Sequence, residues 1–179
     1  MNLPATSKIV PFQSADLQEL AELSRKTFQQ GFGHWYDPSI LASYLQDSFS
    51  IPQLQTEIQD SSSRFWGVKV DSGWIAYAKL RSSKIPPELA GQKVIELQRM
   101  YVLQAYWGKG VAHILMNHCI EFAQKESFSH LWLGVWEDND RAIRFYEKYG
   151  FSQIGKQQFK VSASLIEEDW VMAKQLSNT

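Results

Sequence analysis

The segment Gln104-Ala-Tyr-Trp-Gly-Lys-Gly-Val-Ala112 constrains this chain more than any other stretch. It joins a strand-like run, Val94 to Leu103, to a strongly helical run, Val111 to Lys125. Gly108 and Gly110 let the backbone of the turn approach a ligand closely. The helix that follows begins with unpaired N–H groups and the positive end of its dipole. Such a turn is an anion site, most naturally one for phosphate.

Three phosphate-binding patterns compare differently with these residues. A P-loop requires Gly-x-x-x-x-Gly-Lys-Ser/Thr, and no such string occurs. A dinucleotide fingerprint requires a third glycine near the position of His113. The pyrophosphate loop of acyl-CoA-dependent acetyltransferases reads Gln/Arg-x-x-Gly-x-Gly/Ala on a strand-to-helix turn. Trp107-Gly-Lys-Gly110-Val-Ala112 matches it at Gly110 and Ala112 and departs at Trp107. An ordinary turn before a helix remains the alternative.

A second motif lies downstream. The strand Leu131-Trp-Leu-Gly-Val-Trp136 is followed by Asn139-Asp-Arg-Ala142-Ile-Arg-Phe-Tyr146-Glu-Lys-Tyr-Gly150-Phe151. Here the chain resembles the GNAT superfamily of N-acetyltransferases. Their second signature is a strand, an Asn, an Ala three residues on, a Tyr four beyond that, then Gly-Phe. Each position is filled, the two signatures occur in the expected order, and the resemblance runs from about Ile9 to Leu176.

Bulk properties agree with a single globular domain over 1–179. Hydrophobic residues make up 44% and charged residues 21%, and the net charge of −1 implies no broad basic surface for nucleic acid. A lone cysteine, Cys119, precludes an internal disulfide and fits a reducing, cytoplasmic compartment. It sits on an apolar helix stripe and reads as a buried structural thiol. Met1-Asn-Leu-Pro4 lacks the character of a signal peptide. No apolar run reaches the roughly 18 residues that a membrane-spanning helix needs.

Periodicity gives the element order. Lys8 to Phe12 reads as a strand, and Ser14 as the cap of a helix with Leu17, Leu20, Ala21 and Phe28 inward. Pro38 opens a second helix with Ile40, Leu41, Tyr44 and Leu45, and a short third helix follows Pro52. Phe65 to Val70 and Trp74 to Leu80 form a hairpin about Asp71-Ser-Gly73. The long helix buries Val111, Leu115, Cys119 and Phe122. A later helix, with Ala142, Phe145, Tyr146 and Tyr149 inward, stops at Gly150. Phe151 to Phe159 and Ile166 to Leu176 are closing strands; the former offers an edge through which two subunits can pair as a homodimer. The resulting class is α/β. The resemblance implies a single GNAT-type domain with a mixed, mostly antiparallel central sheet, flanking helices and splayed central strands.

It also implies acetyl-CoA as co-substrate, with no metal. The backbone of Trp107, Gly108, Lys109, Gly110, Val111 and Ala112 would clamp the pyrophosphate. Lys109 either adds charge there or is a solvated loop lysine. By resemblance, the segment Met100-Tyr101-Val102 carries the pantetheine arm, with backbone groups of Met100 and Val102 pairing like an added strand. Asn139 supplies a side-chain amide, a helix cap, or both. Tyr146 occupies the position of the family's tyrosine facing the thioester sulfur; packing within its helix is the alternative. A thiol has a pKa near about 8.5 and a tyrosine near about 10, so full proton transfer is uphill by about 2 kcal/mol. A hydrogen bond to the departing sulfur is at least as good a description.

An alkyl ammonium must also lose a proton before attack, which costs about 4–5 kcal/mol at neutral pH. A carboxylate, direct or through water, is the usual device. Glu96 is the candidate, on a strand leading to the thioester region and sharing a face with Gln98 and Met100. An exposed glutamate at a strand entrance is the alternative. His34, in Gly31-Phe-Gly-His-Trp-Tyr-Asp37, read as an aromatic, glycine-containing loop between the first two helices, is a second, weaker candidate base. His113, His118 and His130 lack metal-ligand spacing.

For the acceptor, Tyr44-Leu-Gln-Asp-Ser-Phe-Ser50, Gln53-Leu-Gln55, Leu131 to Glu137 and Met172-Ala-Lys-Gln-Leu176 are similar to stretches of bacterial Pai-type acetyltransferases. That family acetylates spermidine and spermine, so the resemblance implies a small-molecule amine acceptor, with a polyamine as its finer reading. Asp37, Asp47, Glu57, Glu137 and Asp138, with Trp35, Tyr36 and Trp136, are residues of the type that recognises a polycation. A protein N-terminus or lysine is an alternative acceptor, and a CoA-binding sensor without turnover an alternative function.

Overall fold

A computed structural model describes residues 7–163 and 165–177. The reading of Met1–Pro4 lies outside these. The strands are β1 (Lys8–Pro11), β2 (Ser63–Val70), β3 (Gly73–Arg81), β4 (Val94–Val102), β5 (His130–Trp136), β6 (Ser152–Lys160) and β7 (Ile166–Gln175). The helices are α1 (Leu17–Phe32), α2 (Pro38–Ser48), α3 (Ile51–Gln59), α4 (Val111–Lys125) and α5 (Asp140–Lys148). The strands form one mixed seven-stranded sheet in the order β1-β2-β3-β4-β5-β7-β6. Among the described residues no helix is long and apolar enough to cross a membrane.

Local chemistry accounts for most boundaries. Asp37 Oδ1 accepts the Ser39 N–H at 2.8 Å, and Pro38 starts α2 without losing a bond. Ser50 Oγ accepts the Gln53 N–H at 3.4 Å, so α3 begins at Ile51, just before Pro52. Gly73, at φ 116°, turns the β2–β3 hairpin. Three expectations change. Ser14 does not cap α1: Ser14–Asp16 is a 3-10 turn, closed by Asp16 Oδ2 accepting from the Gln13 N–H at 2.9 Å. Gly31 and Phe32 belong to the last turn of α1, so the loop after it is shorter than the sequence suggested. In α5 the buried residue is Ile143, whereas Ala142, Phe145, Tyr146 and Tyr149 are half-buried.

The chain divides into two compact units, Met1–Lys79 with Arg99–His118, and Leu80–Gln98 with Cys119–Thr179. Strands β3 and β4 and helix α4 run through both. In the first unit, Leu20, Leu23 and Leu54 from α1 and α3 pack on Phe65 and Tyr77 of β2 and β3. Phe28, Leu41 and Phe49 form a second apolar cluster. In the second unit, Leu89, Val94, Trp132, Val171 and Ala173 form the core.

A buried charge cluster sits within the first unit. Glu57 of α3 meets Lys79 of β3 at 2.9 Å and Arg99 of β4 at 2.7 Å, and a second Arg99 nitrogen reaches its other oxygen at 3.1 Å. Lys79 and Arg99 are 3% and 8% exposed. Phe65 and Phe49 face the two cations at 5.4 and 5.0 Å. Burial alone raises the Glu57 pKa, but the charges of Arg99 and Lys79 outweigh it and hold the carboxyl below its ordinary value. Its stabilisation is therefore full above the unfolded value and is lost as pH falls through the folded one. Removing the anion strands two buried cations, a cost of about 3–5 kcal/mol. Glu57→Gln is expected to lose that much in denaturant unfolding at neutral pH, with the deficit shrinking towards acid pH as wild-type Glu57 protonates.

Candidate active site

In the first unit the chain leaves β4 at Val102, makes a 3-10 turn at Gln104–Tyr106, and enters α4 at Val111. Gly108 and Gly110 both lie in the left-handed region, at φ 71° and 84°. The Lys109 N–H returns to the Tyr106 carbonyl, and the His113 and Ile114 N–H groups both reach Gly110. The N–H groups of Gly108, Gly110, Val111 and Ala112 find no backbone acceptor among the described residues. Four donors thus cluster over a turn whose glycines admit close approach.

Trp107, which departs from the family pattern, has a structural use here. Its Nε1–H donates to the Val102 carbonyl at 2.8 Å and ties the loop to the end of β4. Gln104 N–H is held by Gln30 Oε1 at 2.9 Å. Lys109 Nζ stands 5.3 Å from the Tyr106 ring centroid. Met100 and Val102 are half-buried. The Tyr101 ring packs against Phe28, Phe32 and Tyr77, at 6.0, 6.2 and 5.8 Å.

The second unit carries Glu96, Asn139 and Tyr146. The parallel ladder between β4 and β5 spans Val94–Glu96 and His130–Trp132, while β4 runs on to Val102 and β5 to Trp136. Glu96 is 4% exposed, not at an open strand entrance, and one of its oxygens accepts from Arg81 Nε. Asn139 Oδ1 caps α5 by accepting the Ala142 N–H at 3.2 Å, which leaves its Nδ2 donors unengaged among the described residues. The Tyr146 ring lies between Phe145 and Phe151, at 5.6 and 5.8 Å, and its hydroxyl has no hydrogen bond among the described residues. Burial, reinforced by the neighbouring Cys119, pushes the phenol well above its ordinary pKa. The structure brings Met100, Tyr101, Val102 and the loop together in one unit. It places Glu96, Asn139 and Tyr146 in the other, with no hydrogen bond between any two of them among the described residues.

The remaining candidates are less centrally engaged. His34 is exposed, against the ring of Trp35. Asp37 is spent on its helix cap, Glu57 on the buried cluster, and Glu137 on Lys156 at 3.2 Å. No group of three or more metal-ligating side chains occurs among the described residues.

Sequence reading missed Asp169 of β7, which is only 7% exposed. Its signal was parity: Asp169 alternates with Val171 and Ala173, two buried residues, on one side of the strand. Burial, with a smaller contribution from Glu167, raises its pKa to about 7, and Lys84 opposes the shift. A folded value above the unfolded one means that the folded state binds the extra proton. Its contribution to stability therefore falls as pH rises from about 4 to about 7. Asp169→Asn is expected to remove that decline, so that the variant gains on wild type across this window in denaturant unfolding.

The family profile described as acetyltransferase (GNAT) matches residues 17–151. An N-acetyltransferase encoded in the pepI 3′ region of Lactobacillus delbrueckii subsp. lactis is 32% identical over 152 residues, 85% of this chain and 88% of that protein. The N-acetyltransferase Rv2669 of Mycobacterium tuberculosis is 29% identical, covering 90% and 98% respectively. Among solved structures, the PaiA N-acetyltransferase of Thermoplasma acidophilum in complex with coenzyme A shares the fold, with TM-score 0.73 at 22% identity over 94% of this chain and 98% of that one. The ribosomal-protein-S18-alanine N-acetyltransferase of Escherichia coli does so with TM-score 0.70 at 18% identity, covering 96% and 94%. The chain belongs to the acetyltransferase (GNAT) family. It is an N-acetyltransferase.

Proposed function

We propose that the protein transfers acetyl from acetyl-CoA directly to a primary amine, with polyamines such as spermidine and spermine the first acceptors to test. The observation that carries this reading is the set of backbone N–H groups at Gly108, Gly110, Val111 and Ala112 without backbone acceptors. They fit a pyrophosphate, with the left-handed glycines giving it room. The backbone at Met100 and Val102 takes the pantetheine amides, and Asn139 Nδ2 offers a further donor.

In the reaction the acceptor nitrogen attacks the acetyl carbonyl carbon, the C–S bond breaks, and the thiolate of CoA departs. Tyr146 donates a hydrogen bond to that sulfur. Its raised pKa widens the gap to a thiol, so donation without full transfer is the favoured description. The amine's proton passes through water to Glu96. Arg81 holds one carboxylate oxygen, and the other has no partner among the described residues.

Free CoA thiol release across a panel of spermidine, spermine, simple alkylamines, amino acids and a peptide N-terminus tests the acceptor. Turnover confined to a peptide would replace the small-amine reading. Tyr146→Phe is expected to lower kcat by roughly 10–100-fold with little change in the KM for acetyl-CoA. Full turnover in that variant would remove the leaving-group role. Gly110→Ala forces a side chain into the left-handed region, a strain of about 1–2 kcal/mol. It is expected to raise the KM for acetyl-CoA about tenfold and leave the amine KM unchanged.

A further inference from the structure

The loop after β4 begins with a main-chain donor that the loop cannot satisfy by itself. Gln104 opens the 3-10 turn Gln104–Tyr106, and the first N–H of such a turn has no acceptor within it. That donor is met from α1. Gln30 Oε1, in the last turn of the helix, accepts it at 2.9 Å across 74 positions of sequence. The bond lies near the surface, so its worth comes from where it acts rather than from its strength.

The helix end that carries Gln30 is itself held. Phe28 and Phe32 both meet the ring of Tyr101, at 6.0 and 6.2 Å. The Gly33 N–H closes the helix on the Gln29 carbonyl at 2.9 Å. Gln30 therefore offers its oxygen from a stiff support.

The turn passes this constraint along the chain. The Tyr106 N–H returns to the Leu103 carbonyl at 2.8 Å, and the Trp107 N–H to the Gln104 carbonyl at 3.1 Å. Trp107 Nε1–H then donates to the Val102 carbonyl at 2.8 Å. Gly108 follows directly, the first of the N–H groups without a backbone acceptor among the described residues. Gln30 thus fixes the entrance of the segment, and Trp107 its passage into the glycines. All of these residues lie in the first unit. A loop that aims several N–H groups at one anion binds it more tightly when its course is set beforehand, because less ordering remains to be done at binding. Gly108 and Gly110 make that ordering matter more, since glycine has the most backbone freedom to lose.

We propose that Gln30 is a positioning residue for acetyl-CoA. It raises affinity by holding the Gln104 N–H, and with it the turn that aims the N–H groups of Gly108, Gly110, Val111 and Ala112. The proposal rests on the acetyl-transfer reading for the identity of the ligand. It adds a side chain outside the loop on which binding depends.

Proline separates this role from helix packing. Leu103 has ψ 136°, the extended conformation that a following proline favours. The first residue of a 3-10 turn has φ near about −60°, close to that of proline itself. Gln104→Pro therefore deletes the donor while fixing the first dihedral of the turn, and the flexible Gln30 side chain can swing aside. Calorimetry measures acetyl-CoA affinity in wild type, Gln30→Ala, Gln104→Pro and the double variant. Circular dichroism checks that each is folded at the assay temperature. Gln30→Ala is expected to weaken acetyl-CoA about three- to tenfold, the scale of one neutral hydrogen bond. In the Gln104→Pro background, whatever its own affinity, Gln30→Ala is expected to cause no further loss, because the bond is already gone.

A Gln30→Ala protein that binds acetyl-CoA as wild type does would overturn the proposal. So would an equal loss with and without the Gln104 donor, which would mean that Gln30 acts by packing and not through the turn. Failure of the acetyl-transfer reading is distinguishable, because wild type itself would then show no binding of acetyl-CoA, and the proposal would fall with it.

Discussion

One carboxylate organises the first unit. Glu57 holds Lys79 and Arg99, which come from adjacent strands and are too buried to be solvated by water. Each cation alone would make its strand position untenable; together with Glu57 they fix where α3 sits against β3 and β4. Arg99 matters most, because it immediately precedes Met100-Tyr101-Val102. Its bidentate grip on Glu57 and the packing of Tyr101 among Phe28, Phe32 and Tyr77 anchor the side chains of this stretch. What the strand has left to offer a ligand is its main chain. The charge cluster thereby holds the backbone next to it in place.

The loop after β4 obeys the same logic. Its donors are main-chain N–H groups, and its side chains serve the protein: Trp107 closes back on Val102 and Lys109 lies near Tyr106. This explains how the loop keeps its course with Trp107 at the position where the pyrophosphate-loop pattern has Gln or Arg. A position whose role is to shape the turn can change chemistry, provided the backbone keeps its course. Gly108 and Gly110 have no such freedom, since both adopt positive φ.

The element order was readable because hydrophobic periodicity and turn residues agree along nearly the whole chain. Helix α4 has the bounds that its periodicity predicts. Helix boundaries failed where one hydrogen bond decides them, as at Gln13–Asp16, or where a glycine continues a helix, as at Gly31. The candidate site could be proposed from the sequence as a backbone motif and as Asn139 and Tyr146, because spacing along the chain encodes both patterns. The buried charges were not. Lys79, Arg99 and Asp169 look like ordinary strand residues until their parity is compared with buried neighbours, and Glu57 looks like a solvated helix acid. Partners far apart in sequence determine their roles, and a single chain read in order does not display them. The placement of Glu96 against Arg81 was hidden for the same reason.

Cys119 has a practical consequence. It is the sole thiol of the chain, fully buried within α4, and desolvation pushes its pKa to about 12. At mildly alkaline pH only about one molecule in a thousand to ten thousand carries the reactive thiolate, and that sulfur is shielded by packing. A colorimetric thiol reagent added to the folded protein therefore sees a silent background. The same silence makes the chain a ready host for site-directed labelling, since any cysteine introduced at the surface would be chemically unique.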